Sequence, residues 1–188
     1  MKSKLIKSLA ALAAIVVISA AGQPQHAIAA DMELVIGTGN IKGKLFAAGN
    51  AISIASVIHG KGVKVYNYGT KGGKDNIKRI SKKKRAINFG FVTSKDLGKA
   101  KKKQIKAIRG LMAVGKVKGS DVLLIVRNKA PKKVSKADYA SAVAEVVKML
   151  KSKKAMARIK KAWGGYSPAS GAAAFKKAGV KLHKAAIM

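Results

Sequence analysis

The stretch VIGTGNIKGKLFAAGNAI, residues 35–52, holds a cluster of glycines between two apolar segments. The mainly apolar run from Glu33 to Ile36 stops at Gly37, which predicts a short buried strand. From about Gly43 the apolar residues recur at helical spacing, so the stretch indicates a strand, a glycine loop and a helix. Helix N-termini attract anions through their free N–H groups and their dipole. The loop is therefore either a binding site for an anion or a plain turn without a ligand.

Neither of the two common nucleotide-binding motifs fits this loop. A dinucleotide loop has the spacing G-x-G-x-x-G and an acid after the second strand. Here Gly43 comes one place late, and the strand predicted before Gly69 ends without an acid. A P-loop has Ser or Thr after Gly-Lys, and here Leu45 follows Lys44. Both interpretations are therefore excluded.

Strands and helices alternate from this loop as far as Val126. The first helix is predicted to turn one apolar side to the core, formed by Phe46, Ala47, Ile52, Ile54 and Val57. Further strands are predicted at residues 61–68, 87–92, 104–114 and 121–126, helices at 76–83 and from about residue 95, and a break at 115–119. In the first of these strands, Val63 and Val65 are expected on one side and Tyr66 and Tyr68 on the other. This alternation predicts an α/β fold with a mainly parallel sheet and crossover helices.

Polar residues follow three of the predicted strands at their carboxyl ends. Ligands of parallel sheets bind at that edge, in the crevice outside the strand ends. We therefore expect a polar pocket there, formed by Thr38, Gly39, Thr70, Lys71, Thr93 and Ser94.

The last third of the chain changes to helical patterns. Ser135 and Asp138 have the spacing of a capping box, with Asp in place of Glu. Apolar residues then recur at helical spacing with lysines opposite, and the helix is predicted to continue in some form to Trp163. Residues 164–168 break this helix, and a short helix is predicted at 170–178.

An export signal is predicted at the N-terminus. Three lysines form a positive head, the apolar run 9–21 is too short to span a bilayer comfortably, and Ala27-Ile28-Ala29 is a small-x-small cleavage site. We therefore expect a periplasmic protein that starts at Ala30, with an uncleaved membrane anchor as the alternative. The predicted division is a signal peptide (1–29), an α/β lobe (30–128) and a C-terminal helical segment (129–188) that packs on the lobe.

The charge of the chain is extreme. It has 40 Lys and Arg residues against 7 Asp and Glu, a formal net charge of +33. Three lysines of the signal peptide account for three of these charges, which leaves +30 for the mature chain. Such a charge favours anionic partners: membranes, cell-wall polymers or nucleic acid. A hydrophobic content of 48% excludes a disordered basic tail, and dispersed lysine argues against sequence-specific DNA recognition.

Residues suited to metal or acid–base chemistry are scarce. The mature chain has two histidines, His59 and His183, and no cysteine. Disulfides and thiolate metal sites are therefore excluded, and we expect no metal and no cofactor. Ser94, His183 and Asp96 are the residue types of a hydrolytic triad, but nothing in their spacing supports one. We expect a protein that is not an enzyme.

Taken in order, four segments behind the export signal resemble a known family. IGTGNIKGKLFAAGNAI, TKGGKDNIKRI, NFGFVTSKD and VLLIVRNK look like the TAXI-type solute receptors of tripartite (TRAP) transporters. Residues that match the family's motifs are Gly37, Thr38, Gly43, Phe46, Gly49, Ala51 and Ile52 in the first, Thr70, Gly72 and Asn76 in the second, and Phe89, Gly90, Val92, Ser94 and Asp96 in the third. Near the C-terminus, VKLHKAAI is similar to the family's VPLHPGAI.

The resemblance implies one lobe of a type 2 periplasmic-binding protein. In that fold two α/β lobes close on a small anionic solute such as an amino acid or a dicarboxylate. After residue 127 the family enters its second lobe, whereas this chain goes on to its C-terminal helices, so most of that lobe is missing. By the same resemblance, the ligand cleft is lined by Thr38, Gly39, Phe46, Thr93 and Ser94.

Two functions are compatible with the sequence. The first is a shortened periplasmic solute-binding receptor that works with a membrane transporter subunit. The alternative is a non-enzymatic polycation that binds an anionic membrane, cell-wall polymer or nucleic acid through its lysine-rich surface. Pocket binding should be saturable, whereas surface binding should collapse with salt because it depends on screened charge.

Overall fold

A computed structural model describes residues 31–82 and 87–187. The predicted signal peptide and most of the basic turn at 82–85 lie outside these residues. The described part contains six strands and seven helices, which are, in chain order, β1 (Met32–Gly39), α1 (Lys44–His59), β2 (Val63–Gly69), α2 (Gly73–Ser81), β3 (Phe89–Thr93), α3 (Ser94–Gly98), α4 (Lys102–Lys106), β4 (Ile108–Val117), β5 (Ser120–Arg127), α5 (Lys136–Lys151), α6 (Lys153–Ala162), β6 (Tyr166–Ala169) and α7 (Ala172–Lys177).

The six strands form one mixed sheet in the order β2-β1-β3-β5-β4-β6. β1 is parallel to both β2 and β3, whereas β5 is antiparallel to β3 and to β4, and β6 is antiparallel to β4. The α/β class is therefore confirmed. The prediction of a mainly parallel sheet is wrong for the half of the sheet that contains β4, β5 and β6.

A hairpin explains this difference. The predicted break at 115–119 contains a two-residue turn, because β4 continues to Val117 and Val117 pairs with Ser120 across the turn. The turn residues Lys118 and Gly119 both have positive φ, 48° and 74°, as in the type I′ turns that suit the twist of paired antiparallel strands. β4 therefore folds straight back into β5 without a crossover helix.

Helices cover both faces of the sheet. Alternate residues of β1 point to opposite sides, so Leu34 and Ile36 join one apolar cluster and Val35 joins the other. α1, α5 and α6 pack on the first face, and α2, α3, α4 and α7 pack on the second. The core is thus divided into two layers by the sheet.

α1 buries only part of the predicted side, because Ile52 is buried and Phe46 and Ala47 are half-buried. Its buried apolar residues are Ala48, Ala51, Ile52 and Ala55, while Ile54 and Val57 are exposed. Small side chains allow α1 to approach both the sheet and α6 closely, which a side lined with isoleucine and valine would prevent. The prediction for β2 is confirmed, because Val63 and Val65 are buried while Tyr66 and Tyr68 are exposed.

The C-terminal segment contributes a strand as well as helices. The predicted helix cap is confirmed, since the Ser135 Oγ accepts a hydrogen bond from the Asp138 N–H over 3.0 Å. The helix divides at Ser152, whose Oγ caps α6 by accepting from the Ala155 N–H. The predicted break at 164–168 overlaps β6, which the sequence did not predict. Tyr166 of β6 is buried, and its hydroxyl donates to the Leu150 carbonyl oxygen over 3.0 Å.

No helix in the described ranges is long and apolar enough to cross a bilayer.

Candidate functional site

The predicted site residues lie at one end of the sheet. β1, β2 and β3 are parallel, so their carboxyl ends meet at this edge, which also carries the first turn of α1. α1 and α2 cover opposite faces, which makes the boundary between β1 and β3 the point where the connections change direction. The residues placed at this edge are Thr38, Gly39, Phe46, Thr70, Thr93 and Ser94.

An asparagine joins the residues on the β1–β2 side of the edge. The Thr38 hydroxyl donates to the Asn67 Oδ1 over 2.8 Å. The Asn67 amide in turn donates to the Phe46 carbonyl oxygen (3.0 Å) and to the Asn50 Oδ1 (2.7 Å). Thr38 is only 1% exposed. Its hydroxyl therefore faces the interior and orients the Asn67 side chain, whose amide holds the start of α1 against β2.

Backbone contacts complete this side. The Thr70 N–H donates to the Gly39 carbonyl oxygen over 2.8 Å, so the loops after β1 and β2 touch. Thr70 is buried, and its hydroxyl oxygen accepts from the Gly72 N–H over 3.2 Å. The predicted residues of β1 and β2 thus lie together. Their hydrogen-bonding groups, however, mainly bind one another and neighbouring residues.

Thr93 and Asp96 form a capping box at the start of α3. The Thr93 hydroxyl and N–H both donate to the Asp96 Oδ2, over 2.7 and 3.1 Å, and the Asp96 N–H donates back to the Thr93 Oγ1. Any side chain at Gly73, in the first turn of α2, would collide with this carboxylate. The Ser94 Oγ is buried and forms no hydrogen bond within residues 31–82 and 87–187.

Asn76 spans the boundary between β1 and β3. Its side-chain amide donates to the carbonyl oxygens of Gly37 (2.9 Å) and Phe91 (2.7 Å). β1 and β3 pair only at Ile36–Phe89 and Gly37–Gly90, so this amide fills the gap where they separate. Asn76 is fully buried, and its Oδ1 has no hydrogen-bond partner among the described residues.

Sequence reasoning missed the structural roles of Asn67 and Asn76. Both asparagines occupy positions that the periodicity assigns to an inward side, Asn67 in line with Val63 and Val65, and Asn76 beside Ile77 on the buried side of α2. A polar amide at an inward position must find hydrogen-bond partners, because burial without them costs free energy. A polar asparagine at a position predicted to be buried was therefore the sequence feature that could have revealed these two roles.

The edge carries excess positive charge. Lys42, Lys44, Lys71 and Lys95 are exposed around it. α1 begins at Gly43 without a side-chain cap and without an acid in its first turn. The nearby acids have internal partners, since Asp96 binds Thr93 and Asp75 pairs with Arg79 over 2.8 Å. The hydrogen bond to Asp75 raises the pKa of Arg79.

The residue types of a hydrolytic triad are not assembled. The His183 N–H donates to the Gly110 carbonyl oxygen, and Gly110 lies level with Gly90 across β5. Ser94 comes four residues after Gly90, directly after the last residue of β3, which places it about 13 Å further along the sheet at the rise of an extended strand. Within the described residues, no group of His, Asp and Glu is arranged to hold a metal ion.

A groove lies at the opposite end of the sheet from the predicted site. It encloses about 550 Å³ and is lined by Met32, Lys61, Gly62, Val63, Lys133, Val134, Asp138, Ser141, Ala142 and Glu145. The first four lie near the amino ends of β1 and β2, and the rest lie in α5 or the loop before it. Sequence analysis predicted a helix cap that includes Asp138 but no ligand site at these positions.

Comparisons with known proteins do not place the chain in a family: no protein-family model matches it, and no curated protein sequence matches it either.

Proposed function

We propose that this protein binds a small anionic solute, such as an amino acid or a dicarboxylate, at the edge formed by the carboxyl ends of β1, β2 and β3. In this proposal it is a shortened, periplasmic relative of the TAXI-type receptors, built on one lobe of a type 2 periplasmic-binding protein. A membrane transporter subunit would be its delivery partner. It would act without a cofactor and without catalysing a reaction.

The observation that carries this proposal is the combination of charge and an unused hydroxyl at one edge. Exposed lysines and the uncapped start of α1 attract an anion, and the neighbouring acids are already bound to Thr93 and Arg79. The Ser94 hydroxyl has no partner among the described residues, and rotation about its χ1 angle changes the direction in which it donates. A carboxylate is the natural acceptor for such a donor.

The internal hydrogen bonds of the predicted threonines determine which substitution tests the site most directly. The hydroxyls of Thr38 and Thr93 are bound to Asn67 and Asp96, so their removal would act on folding as well as on binding. Ser94→Ala is the cleaner test, because no bond within the described chain is lost with its hydroxyl.

The test is a thermal-shift screen followed by calorimetric titration. Amino acids, dicarboxylates and phosphate are each compared at low and high salt, since a bound ligand raises the Tm by mass action. We expect one class of small acid to raise the Tm at both salt concentrations, and Ser94→Ala to weaken its binding by roughly tenfold, the value of one hydrogen bond to a charged group. Ser167→Ala, at an exposed position of β6, is the control. Equal affinity of Ser94→Ala and the unaltered chain would refute the assignment of the site.

A second candidate function rests on the charge of the whole surface. Seven carboxylates cannot pair with 40 Lys and Arg side chains, so most of the cations remain for solvent or external anions. We propose as the alternative that the chain adheres to a polyanionic surface, with the α/β fold as scaffold. Binding that is lost at high salt and is unaffected by Ser94→Ala would favour this candidate over the solute site.

A further inference from the structure

α1 presents an apolar strip to solvent over its last two turns. Ile54, Val57 and Ile58 are 47%, 63% and 54% exposed. Their spacing of three and four residues places them on one side of the helix, opposite the buried side that contains Ala48 and Ile52. We refer to Ile54, Val57 and Ile58 as the α1 ridge. Three large aliphatic side chains together on one exposed side form a patch, whereas isolated ones are ordinary.

The ridge is a local exception in a lysine-rich chain. The sixteen residues of α1 include one lysine, at its first position, and no arginine or acid. The neighbouring helix α6, which packs against α1, has five cations among its ten residues. Lys61, just after α1, is exposed. The five cations of α6 are exposed as well: Lys153, Lys154, Arg158, Lys160 and Lys161. The apolar strip thus lies on a helix that packs beside one rich in exposed positive charge.

This combination fits an anionic phospholipid surface better than other polyanions. Lipid phosphates attract the lysines, and the acyl region beneath them accepts aliphatic side chains. A nucleic acid or an anionic polysaccharide offers the negative charge but no acyl layer for isoleucine and valine. The start of β1 lies close to the end of α1, because the Met32 N–H donates to the Gly62 carbonyl oxygen, three residues after α1 ends.

We propose that the α1 ridge inserts into the interface of an anionic lipid bilayer while the cations of α6 bind the lipid phosphates. This proposal rests on the polyanion-binding candidate described above and names its partner. The bilayer contact is peripheral: the ridge enters the headgroup boundary, and the fold remains outside the membrane.

The first experiment measures partition of the full chain onto vesicles. Vesicles of phosphatidylglycerol and phosphatidylcholine are compared with vesicles of phosphatidylcholine alone, at low and high salt, by co-sedimentation. The ridge variant carries Ile54→Gln, Val57→Gln and Ile58→Gln, which keep helix propensity and charge. We expect its partition onto the anionic vesicles to fall at least about tenfold, because three aliphatic side chains no longer enter the acyl boundary.

Matched variants distinguish vesicle binding through the ridge from nonspecific adsorption of the chain. Ile41→Gln removes an isoleucine that is 66% exposed but lies outside α1, and it should bind vesicles like the unaltered chain. Lys160→Gln with Lys161→Gln should lower only the salt-sensitive part of the binding. If the ridge variant binds anionic vesicles as the unaltered chain does, the ridge proposal is overturned while polyanion binding through charge survives. If neither the unaltered chain nor any variant binds the anionic vesicles, the ridge proposal fails, whereas adhesion to a polyanion other than lipid is unaffected.

A second measurement does not depend on the triple variant folding. The chain has no cysteine, so Val57→Cys can be labelled alone with an environment-sensitive nitrobenzoxadiazole dye. We expect its emission to shift to the blue on adding anionic vesicles, and Lys177→Cys, on α7 at the other face of the sheet, to show no shift. A dye at position 57 that is already blue-shifted without vesicles means that residues 1–30 or a second copy cover the ridge. Sedimentation velocity at several concentrations tells these two apart, and either result overturns the proposal.

Discussion

The side-chain amide of Asn76 donates a hydrogen bond to the main-chain carbonyl oxygen of Gly37 over 2.9 Å, although the two residues are 39 positions apart in the chain. The same amide donates to the Phe91 carbonyl oxygen over 2.7 Å. One side chain of α2 thus supplies the hydrogen bonds that β1 and β3 cannot make to each other where they separate. It fixes the positions of the two loops that carry most of the candidate site.

Replacing Asn76 should therefore destabilise the fold. Asn76→Ala leaves two buried carbonyl oxygens without donors, and each such loss costs about 1–3 kcal/mol. We expect the free energy of unfolding in urea to fall by about 2–4 kcal/mol in total, since the smaller side chain also leaves a cavity. Lys78→Ala, at an exposed position of the same helix, is the control and should change it by less than about 0.5 kcal/mol. Equal stability of both variants would show that the amide bonds are unimportant.

The first glycine of the loop should be required for packing. A Cβ at Gly37 would lie 2.5 Å from the Asn76 Oδ1 and 2.7 Å from the Ile87 Cδ1, both too close for real contacts. Gly37→Ala should lower the free energy of unfolding by about 1–3 kcal/mol through overpacking. Gly98→Ala is the matched control, because a Cβ there meets nothing within 4 Å. A Tm of Gly37→Ala equal to that of Gly98→Ala would contradict the close packing around Asn76.

The hairpin turn offers a stabilising change. Lys118 has a φ of 48°, in the left-handed region that lysine occupies at a cost and asparagine tolerates. Lys118→Asn should raise the free energy of unfolding by about 0.5–1 kcal/mol, because Asn-Gly is the preferred pair for a type I′ turn. Lys132→Asn, at an exposed loop position without positive φ, controls for the lost charge. A lower Tm for Lys118→Asn than for Lys132→Asn would argue against the type I′ hairpin.

His183 should make stability depend on pH in the acid range. Burial, with the charges of Arg109 and Lys184, lowers the pKa of His183 below its usual value of 6.5. Its neutral Nδ1 accepts from the Ala185 N–H over 3.1 Å, a bond that protonation would remove. The unfolded chain therefore binds the proton more readily, so this contribution to stability is complete above about pH 6.5 and is lost as the pH falls through the lowered pKa.

The measurement is the Tm between pH 5 and 8. His183→Asn keeps an acceptor but cannot titrate, so its Tm should fall less than that of the unaltered chain between pH 6.5 and 5. Identical slopes for the two proteins would exclude His183 as the source of the pH dependence.

The elements that local patterns define were predicted well. The glycines after Ile36 ended β1 near its true end, and the alternation of Val63 and Val65 with two tyrosines correctly gave the two sides of β2. The side of α1 that faces the core was not predictable in this way, because α1 is apolar all round and hydrophobicity alone does not choose a side. Close approach to the sheet selected alanines for burial and left Ile54 and Val57 outside.

In the candidate site, too, some features were predictable from local sequence and others were decided only by the fold. The sequence placed Thr38 and Thr93 at strand ends, and the structure has them there. The partners of their hydroxyls depend on the fold: Asn67 is 29 residues from Thr38, and a periodicity argument has no means of finding a pair so far apart. The unused hydroxyl of Ser94 is likewise visible only once every neighbour is in place.

By itself the sequence determined the net charge, the absence of thiol chemistry and the order of most strands and helices, because these follow from composition and from patterns within a few residues. Only the tertiary structure decided the direction of β5, the addition of β6 to the sheet and the bonds of Asn76. The physical reason is that these features depend on hydrogen bonds between distant segments and on backbone angles at Lys118 and Gly119, which local hydrophobicity does not encode.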